Sequence, residues 1–154
     1  MSISVARYLR TGSLGPIEGN VANEDIITML GPPEAEEQRP DQRTLLVYGS
    51  INIWFETTRL ASYGIYLSET ADLPPPLKWS DFVPSSRTTY DNLIEFVAKN
   101  HIVFEEIPRR IGQLAKTSGG VWVISHQILI SLVHPNPETA LGAGFVRDWL
   151  RNQT

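Results

Sequence analysis

Thr44-Leu-Leu-Val-Tyr-Gly-Ser-Ile-Asn-Ile-Trp-Phe-Glu56 carries the strongest fold signal in the chain. Apolar residues alternate on both sides of Gly49-Ser50, the pattern of half-buried strands. Glycine accepts the positive φ that opens a type II′ turn, so Gly49-Ser50 predicts a two-residue hairpin. That register sets Tyr48 opposite Ile51 and Leu46 opposite Ile53. These four and Phe55 then face the core, while Leu45, Val47, Asn52 and Trp54 face away.

Upstream, Asn23 is placed to cap a helix, with Glu24 and Asp25 in its first turn, where negative charge suits the helix dipole. Ile26, Ile27 and Leu30 form its apolar face. Gly31 supplies a left-handed stop, and Pro32-Pro33 forbid continuation. Glu34 to Arg43 reads as a polar acidic loop. Residues 3–10 fit a short helix or an edge strand, ended at Thr11-Gly12. Downstream of the hairpin, a turn near Thr57–Arg59 leads to a third strand, Ser62–Leu67.

The segment 69–87 contains Pro74-Pro75-Pro76 and Pro84. A proline triplet favours extended polyproline geometry. Leu77, Trp79, Phe82 and Val83 give it too much apolar surface for a free linker, so it is expected to pack along the domain. The order then repeats. Asp91 is placed to cap a helix over residues 92–100 whose inward residues are Leu93, Ile94 and Val97, and Asn100 is placed to end it. Residues 102–107 and 111–115 read as strands, and Lys116 to Gly120 as a turn. Val121 to Val133 reads as one long strand with Trp122, Ile124, Ile128, Ile130 and Leu132 on one face. A last helix is expected over 137–151, capped by Asn136-Pro137, with Leu141, Phe145 and Trp149 as its apolar stripe. The expectation is one α+β domain over 1–154. Two helix–meander units, residues 20–68 and 88–134, build an antiparallel sheet with helices on one face, and a C-terminal helix follows.

The chain has 154 residues, 42% of them hydrophobic and 19% charged, which is ordinary globular composition. It has no cysteine, which removes disulfide frameworks, thiol catalysis and zinc–cysteine sites. The net charge of −4 opposes non-specific binding to nucleic acid. No apolar run approaches a membrane span, and Arg7 and Arg10 break the apolar N-terminal stretch, so a cytoplasmic setting is expected. Asn152-Gln-Thr154 matches a glycosylation sequon but is read as chance in that setting. The charge is uneven: residues 1–77 hold 5 basic and 10 acidic side chains, and residues 78–154 hold 8 and 7.

No catalytic constellation emerges. His101, His126 and His134 lack metal-ligand spacing. His126 falls on the long strand, where Ser125 and His126 would point to opposite faces and form no dyad. His134 precedes a proline in a loop. There is no nucleophile elbow, phosphate loop or dinucleotide fingerprint; Gly142 and Gly144 lie inside a helix. Glu105 and Glu106 diverge on a strand. Glu34, Glu36, Glu37 and Asp41 would serve a protein as an acidic anchor for a basic partner. Trp54 and Trp79, of a residue type favoured at interfaces, are the aromatic candidates.

Met29-Leu-Gly-Pro-Pro33, the acidic loop and Val47-Tyr-Gly-Ser-Ile-Asn-Ile-Trp-Phe55 together resemble small bacterial immunity proteins of polymorphic-toxin and contact-dependent inhibition systems. The unit is also similar to the helix–meander of β-lactamase-inhibitor-like proteins. Ser50 stands where that group often has an acidic residue. The resemblance covers residues 23–67 and implies a non-enzymatic protein that binds a cognate toxin and occludes its active or substrate site. Glu34, Glu36, Glu37, Asp41, Trp54 and Trp79 are the expected contact residues. No metal, cofactor, nucleic acid or membrane is expected to take part. Two other classes stay open: a small-ligand protein or enzyme with a cavity between helices and sheet, its polar anchor His126, and a structural adaptor or secretion chaperone. Oligomeric state leaves no mark on the sequence.

Overall fold

The computed structural model describes residues 1–67, 72–136 and 138–151, without the side chains of residues 145, 146 and 148–150. The first half holds β1 (Ser2–Ile3), α1 (Val5–Thr11), α2 (Asn23–Leu30), β2 (Ala35–Gln38), β3 (Arg43–Tyr48), β4 (Ile51–Glu56) and β5 (Arg59–Tyr66). There follow β6 (Lys78–Trp79), α3 (Tyr90–Lys99), β7 (Phe104–Ile107), β8 (Gln113–Thr117), β9 (Trp122–Ser125), β10 (Leu129–Pro135) and α4 (Ala140–Arg151).

The hairpin around Gly49 has the expected register, with Tyr48 opposite Ile51 and Leu46 opposite Ile53. Gly49 takes φ +59°. A Cβ there would also stand 2.3 Å from the Asp72 carbonyl oxygen, so glycine is required for space as well as for conformation. Ser50 holds the same carbonyl through its backbone N–H at 2.8 Å and its hydroxyl at 3.0 Å.

Among the described residues, eight strands make one antiparallel sheet in the order β2-β3-β4-β5-β10-β9-β8-β7. The order is palindromic. Each unit is a helix followed by a meander, and the two units meet through their last strands, β5 and β10. The fold is therefore α+β, an antiparallel sheet of two helix–meander units with a C-terminal helix. One face, the helix face, receives Tyr8 and Leu9 from α1, Ile26 and Leu30 from α2, and Leu93 and Val97 from α3. They pack on Leu46, Ile53, Phe55, Ile65, Val123 and Leu132. A second cluster of Leu114, Trp122, Ile124 and Val133 occupies the opposite face. Helix α4 lies against β5 and β10. Its first turn is tied down by Glu56, which accepts the Ala140 N–H at 2.8 Å, and by the Arg59–Glu138 ion pair at 2.6 Å. No described helix is long and apolar enough to cross a membrane.

Several local expectations need correction. Each meander has four strands, not three. Residues 35–38, expected as loop, form the outer strand β2 although all four are exposed, because their backbone groups pair with β3. The long strand expected over 121–133 is two strands joined by a turn at 126–128, where Gln127 takes φ +136°. Ser125 closes that turn, its hydroxyl donating to the Ile128 carbonyl at 2.9 Å. Trp122 and Ile124 consequently lie on one face and Leu132 on the other. Residues 2–11 supply both a short strand and a helix.

The helix caps also differ. Ala22, not Asn23, precedes α2, and Asn23 is its first helical residue. Thr89 replaces Asp91 as the cap of α3, because Asn92 at the third position completes a reciprocal capping box with it. His101, not Asn100, adopts the left-handed conformation after α3, at φ +52°. The proline triplet makes a turn closed by the Leu77 N–H on the Pro74 carbonyl at 2.8 Å, instead of an extended run. The segment does pack on the domain through Leu77, Trp79 and Phe82, while Val83 stays exposed. Asp81 caps α1 from this segment, accepting the N–H groups of Val5 and Ala6 and the Ser4 hydroxyl. Burial works to raise its pKa, but hydrogen bonds from Ser4, Phe82, Val5 and Ala6 outweigh that and hold the carboxyl below its ordinary range. Residues 69–71, Pro137, the Phe145 and Trp149 side chains of the expected stripe, and the 152–154 sequon lie outside the described residues.

Candidate functional site

Among the described residues, strand β2 is an outer strand, paired with β3 in the sheet. Its register sets Glu37 beside Leu45, and Leu45 sits beside Trp54 on β4. Strand alternation therefore aligns Glu37, Leu45 and Trp54 as one row on the face opposite α2. Trp54 is half-buried, and the Arg39 guanidinium lies 5.8 Å from its ring centre. Glu34, Glu36, Glu37 and Asp41 are all exposed along this edge. Four of the six expected contact residues thus share one margin with Trp54. The sixth, Trp79, is on β6, half-buried against the helix-face core, and takes no part in this edge. Its place is fixed by the pairing of β6 with β1, which the sequence did not signal.

The negative charge of the edge is partly compensated. Arg39 pairs with Glu37 at 3.0 Å, and Arg43 pairs with Asp41. The hydrogen bond from Arg43 is the main reason the Asp41 carboxyl is held below its ordinary pKa. Glu36 accepts a hydrogen bond from Gln38 at 3.1 Å. Such exposed pairs contribute little to stability and exchange readily for a partner's cations. The edge is thus a preformed mixed surface, acidic on balance, beside an aromatic ring.

The histidines occupy other places than expected. His126 is exposed in the β9–β10 turn, not on a strand face. His134 is on β10, not in a loop, stacked on Tyr63 at 5.0 Å between ring centres. A Cβ on Gly12 would come within 2.5 Å of its Nε2, so the end of α1 closes over the ring. Burial lowers its pKa, although a backbone contact from Gly119 opposes the shift. The unfolded chain therefore binds a proton that the folded chain resists. Stability should be full above about pH 6.5 and fall as the pH drops below it, by at most about 1.4 kcal/mol per pH unit for one proton. Urea unfolding between pH 5 and 8 checks this, and His134→Gln should flatten that part of the profile. An unchanged profile in the variant would remove His134 from the acid response.

A cavity of about 360 Å³ opens at the other margin of the sheet, between α3 and the β7–β8 loop. Its walls include Tyr90, Glu106, Ile107, Pro108, Arg109, Gly112, Gln113 and Leu114. The Tyr90 hydroxyl donates to Glu106 Oε1 at 2.9 Å. Burial raises the pKa of that phenol, and the bond to Glu106 adds to the rise. Burial lowers the pKa of the Arg109 guanidinium. Gly112 takes φ +71°, and a Cβ there would stand 2.4 Å from the Ser125 carbonyl and 2.7 Å from His126 Nδ1. The loop is thereby seated directly on the β9–β10 turn. None of the lining residues was among those expected to act. Tyr90 and Glu106 lie sixteen positions apart, and only the docking of α3 on the sheet joins them. Compared with protein-family models, curated proteins and solved structures, the chain matches none.

Proposed function

We propose that this chain is a toxin-neutralising binding protein that lays its β2 margin over the active or substrate site of a cognate bacterial toxin in the cytoplasm. The observation that carries the reading is the row Glu37–Leu45–Trp54 beside the exposed acids Glu34, Glu36 and Asp41. An outer strand flanked by an aromatic ring offers main-chain pairing, an anchor of the residue type that dominates interface energetics, and a charge bias toward basic partners. The resemblance of residues 23–67 to immunity proteins supports the same reading.

Co-expression with the product of the neighbouring gene tests it. The expected result is rescue of growth and co-purification of the two proteins. In that complex Trp54→Ala should weaken binding by about 2 kcal/mol or more. Glu36→Lys with Glu37→Lys should slow association by about tenfold at low salt and reduce its dependence on ionic strength. Absence of rescue overturns the function. Rescue with binding indifferent to all three substitutions moves the interface elsewhere.

A further inference from the structure

Strand β7 is the outer strand at the margin away from β2. Ser118 donates its N–H to the Val103 carbonyl at 3.2 Å, and Phe104 lies opposite Thr117. In an antiparallel ladder that makes Phe104 and Glu106 the residues whose N–H and C=O groups point away from β8. No described strand pairs with that side. The edge thus offers two donors and two acceptors, the main-chain part of strand addition. Pro108 ends the template, so Arg109 and Arg110 stand past the paired stretch.

Side chains along β7 set the chemistry of what can pair there. Phe104 packs in the helix-face core, and Ile107 packs in the cluster on the other face. Alternation puts Glu106 on the helix face, and Val103 and Glu105 on the other. Both glutamates are exposed, and Val103 is 71% exposed. Lys116 lies directly across from Glu105 but carries its ammonium over the Trp122 ring, 5.5 Å from the ring centre. No ion pair to Glu105 or Glu106 forms among the described residues. The Tyr90 hydroxyl holds Glu106 at Oε1 and leaves it acceptor capacity. A second copy of the chain fits this edge poorly. Two-fold pairing centred on Glu105 or Glu106 sets that carboxylate against its own twin, which is destabilising. A strand with basic residues at those places meets opposite charge on both faces, and apolar residues beside Val103 and Ile107 cover exposed apolar surface.

We propose that β7 is a docking edge for an extended segment of another protein, added antiparallel, with adjacent Lys or Arg residues opposite Glu106 and Glu105 and apolar residues opposite Ile107 and Val103. Glu105 takes a non-hydrogen-bonded position in the added pair, where facing side chains approach most closely, so it discriminates most strongly between partners. The proposal uses no residue of the β2 margin, and its failure leaves the toxin reading untouched.

Amide NMR of the full-length protein titrated with the peptide acetyl-Thr-Val-Lys-Lys-Thr-Val-Thr-amide tests it. The peptide should shift residues 103–107 most. Replacing its two lysines with glutamate should weaken binding at least about tenfold, since two attractive pairs become repulsive. N-methylation of the lysine opposite Glu106 removes a main-chain donor and should abolish the shifts. Glu105→Lys, at an exposed position, should weaken the parent peptide by about fivefold or more and prefer the version with Glu in place of the second lysine. Absence of shifts at 103–107 at millimolar peptide overturns the proposal. Equal affinity for the lysine and glutamate peptides, or indifference to N-methylation, also overturns it. Shifts at residues 35–38 in place of 103–107 would move the basic segment to β2 and overturn it too. A concentration-dependent dimer of the protein alone, with exchange protection at Phe104 and Glu106, would assign the edge to a second copy instead.

Discussion

Replacing Tyr8 with alanine should lower the free energy of unfolding by about 3–5 kcal/mol, the range for deleting a buried aromatic ring. The ring is fully buried in the helix-face core. Its hydroxyl donates to the Tyr63 carbonyl at 2.9 Å and to the Leu132 carbonyl at 3.1 Å. Those acceptors belong to β5 and β10, the strands through which the two units meet. A single side chain from α1 therefore braces both sides of that joint. Tyr8→Phe keeps the ring and removes the shared hydrogen bond, so it should cost only about 1–2 kcal/mol. Urea unfolding of the two variants separates the contributions. A loss below about 1 kcal/mol in Tyr8→Ala would show that α1 does not hold the joint.

The same joint makes Gly64→Ala the second large effect. A Cβ at Gly64 would lie 2.4 Å from the Leu132 carbonyl oxygen and 3.0 Å from the Val133 Cα. Both atoms are backbone of the paired strand, so no side-chain rotation relieves the overlap. The strands must separate, at a cost of about 2–3 kcal/mol. Gly31→Ala is the natural comparison. Gly31 also resists a side chain, through φ +80°, but nothing lies within 4 Å of its Cβ position. Its φ and ψ of +80° and −170° lie in a region open almost only to glycine, so its substitution should cost about 1–3 kcal/mol from conformation alone, with no disturbance of the sheet. Hydrogen exchange should locate the Gly64→Ala defect in β5 and β10. If Gly64→Ala cost less than about 1 kcal/mol, or left exchange in β5 and β10 unchanged, the steric account of the joint would be wrong.

What could be read from sequence was what local chemistry decides. The hairpin at 44–56 follows from alternation around Gly49-Ser50, and the end of α2 from Gly31-Pro32-Pro33. Strand β2 was illegible because Ala35-Glu-Glu-Gln38 has no apolar alternation, and its strand state comes from a partner rather than from itself. The β9–β10 turn was illegible because Ser125 to Ile128 contains no glycine, proline or asparagine, and Gln127 takes the positive φ instead. The acidic margin was legible as residue types, and its alignment with Trp54 followed once β2 was a strand. Trp79 could not be placed, because β6 is two residues long and depends on β1. The Tyr90–Glu106 pair had no signal at all, since no spacing rule links the start of a helix to the outer strand after it.

The joint at β5 also sets an order of events during synthesis. β5 is complete at Tyr66, but the strand that covers its free side begins at Leu129. At about 5–20 residues per second the ribosome needs roughly 3–12 s to cross that interval. For those seconds the nascent first unit presents Tyr63, Ile65 and an unpaired strand border to solvent, an opening for chaperones. The second unit meets no such delay, because its own last strand emerges onto a template already waiting.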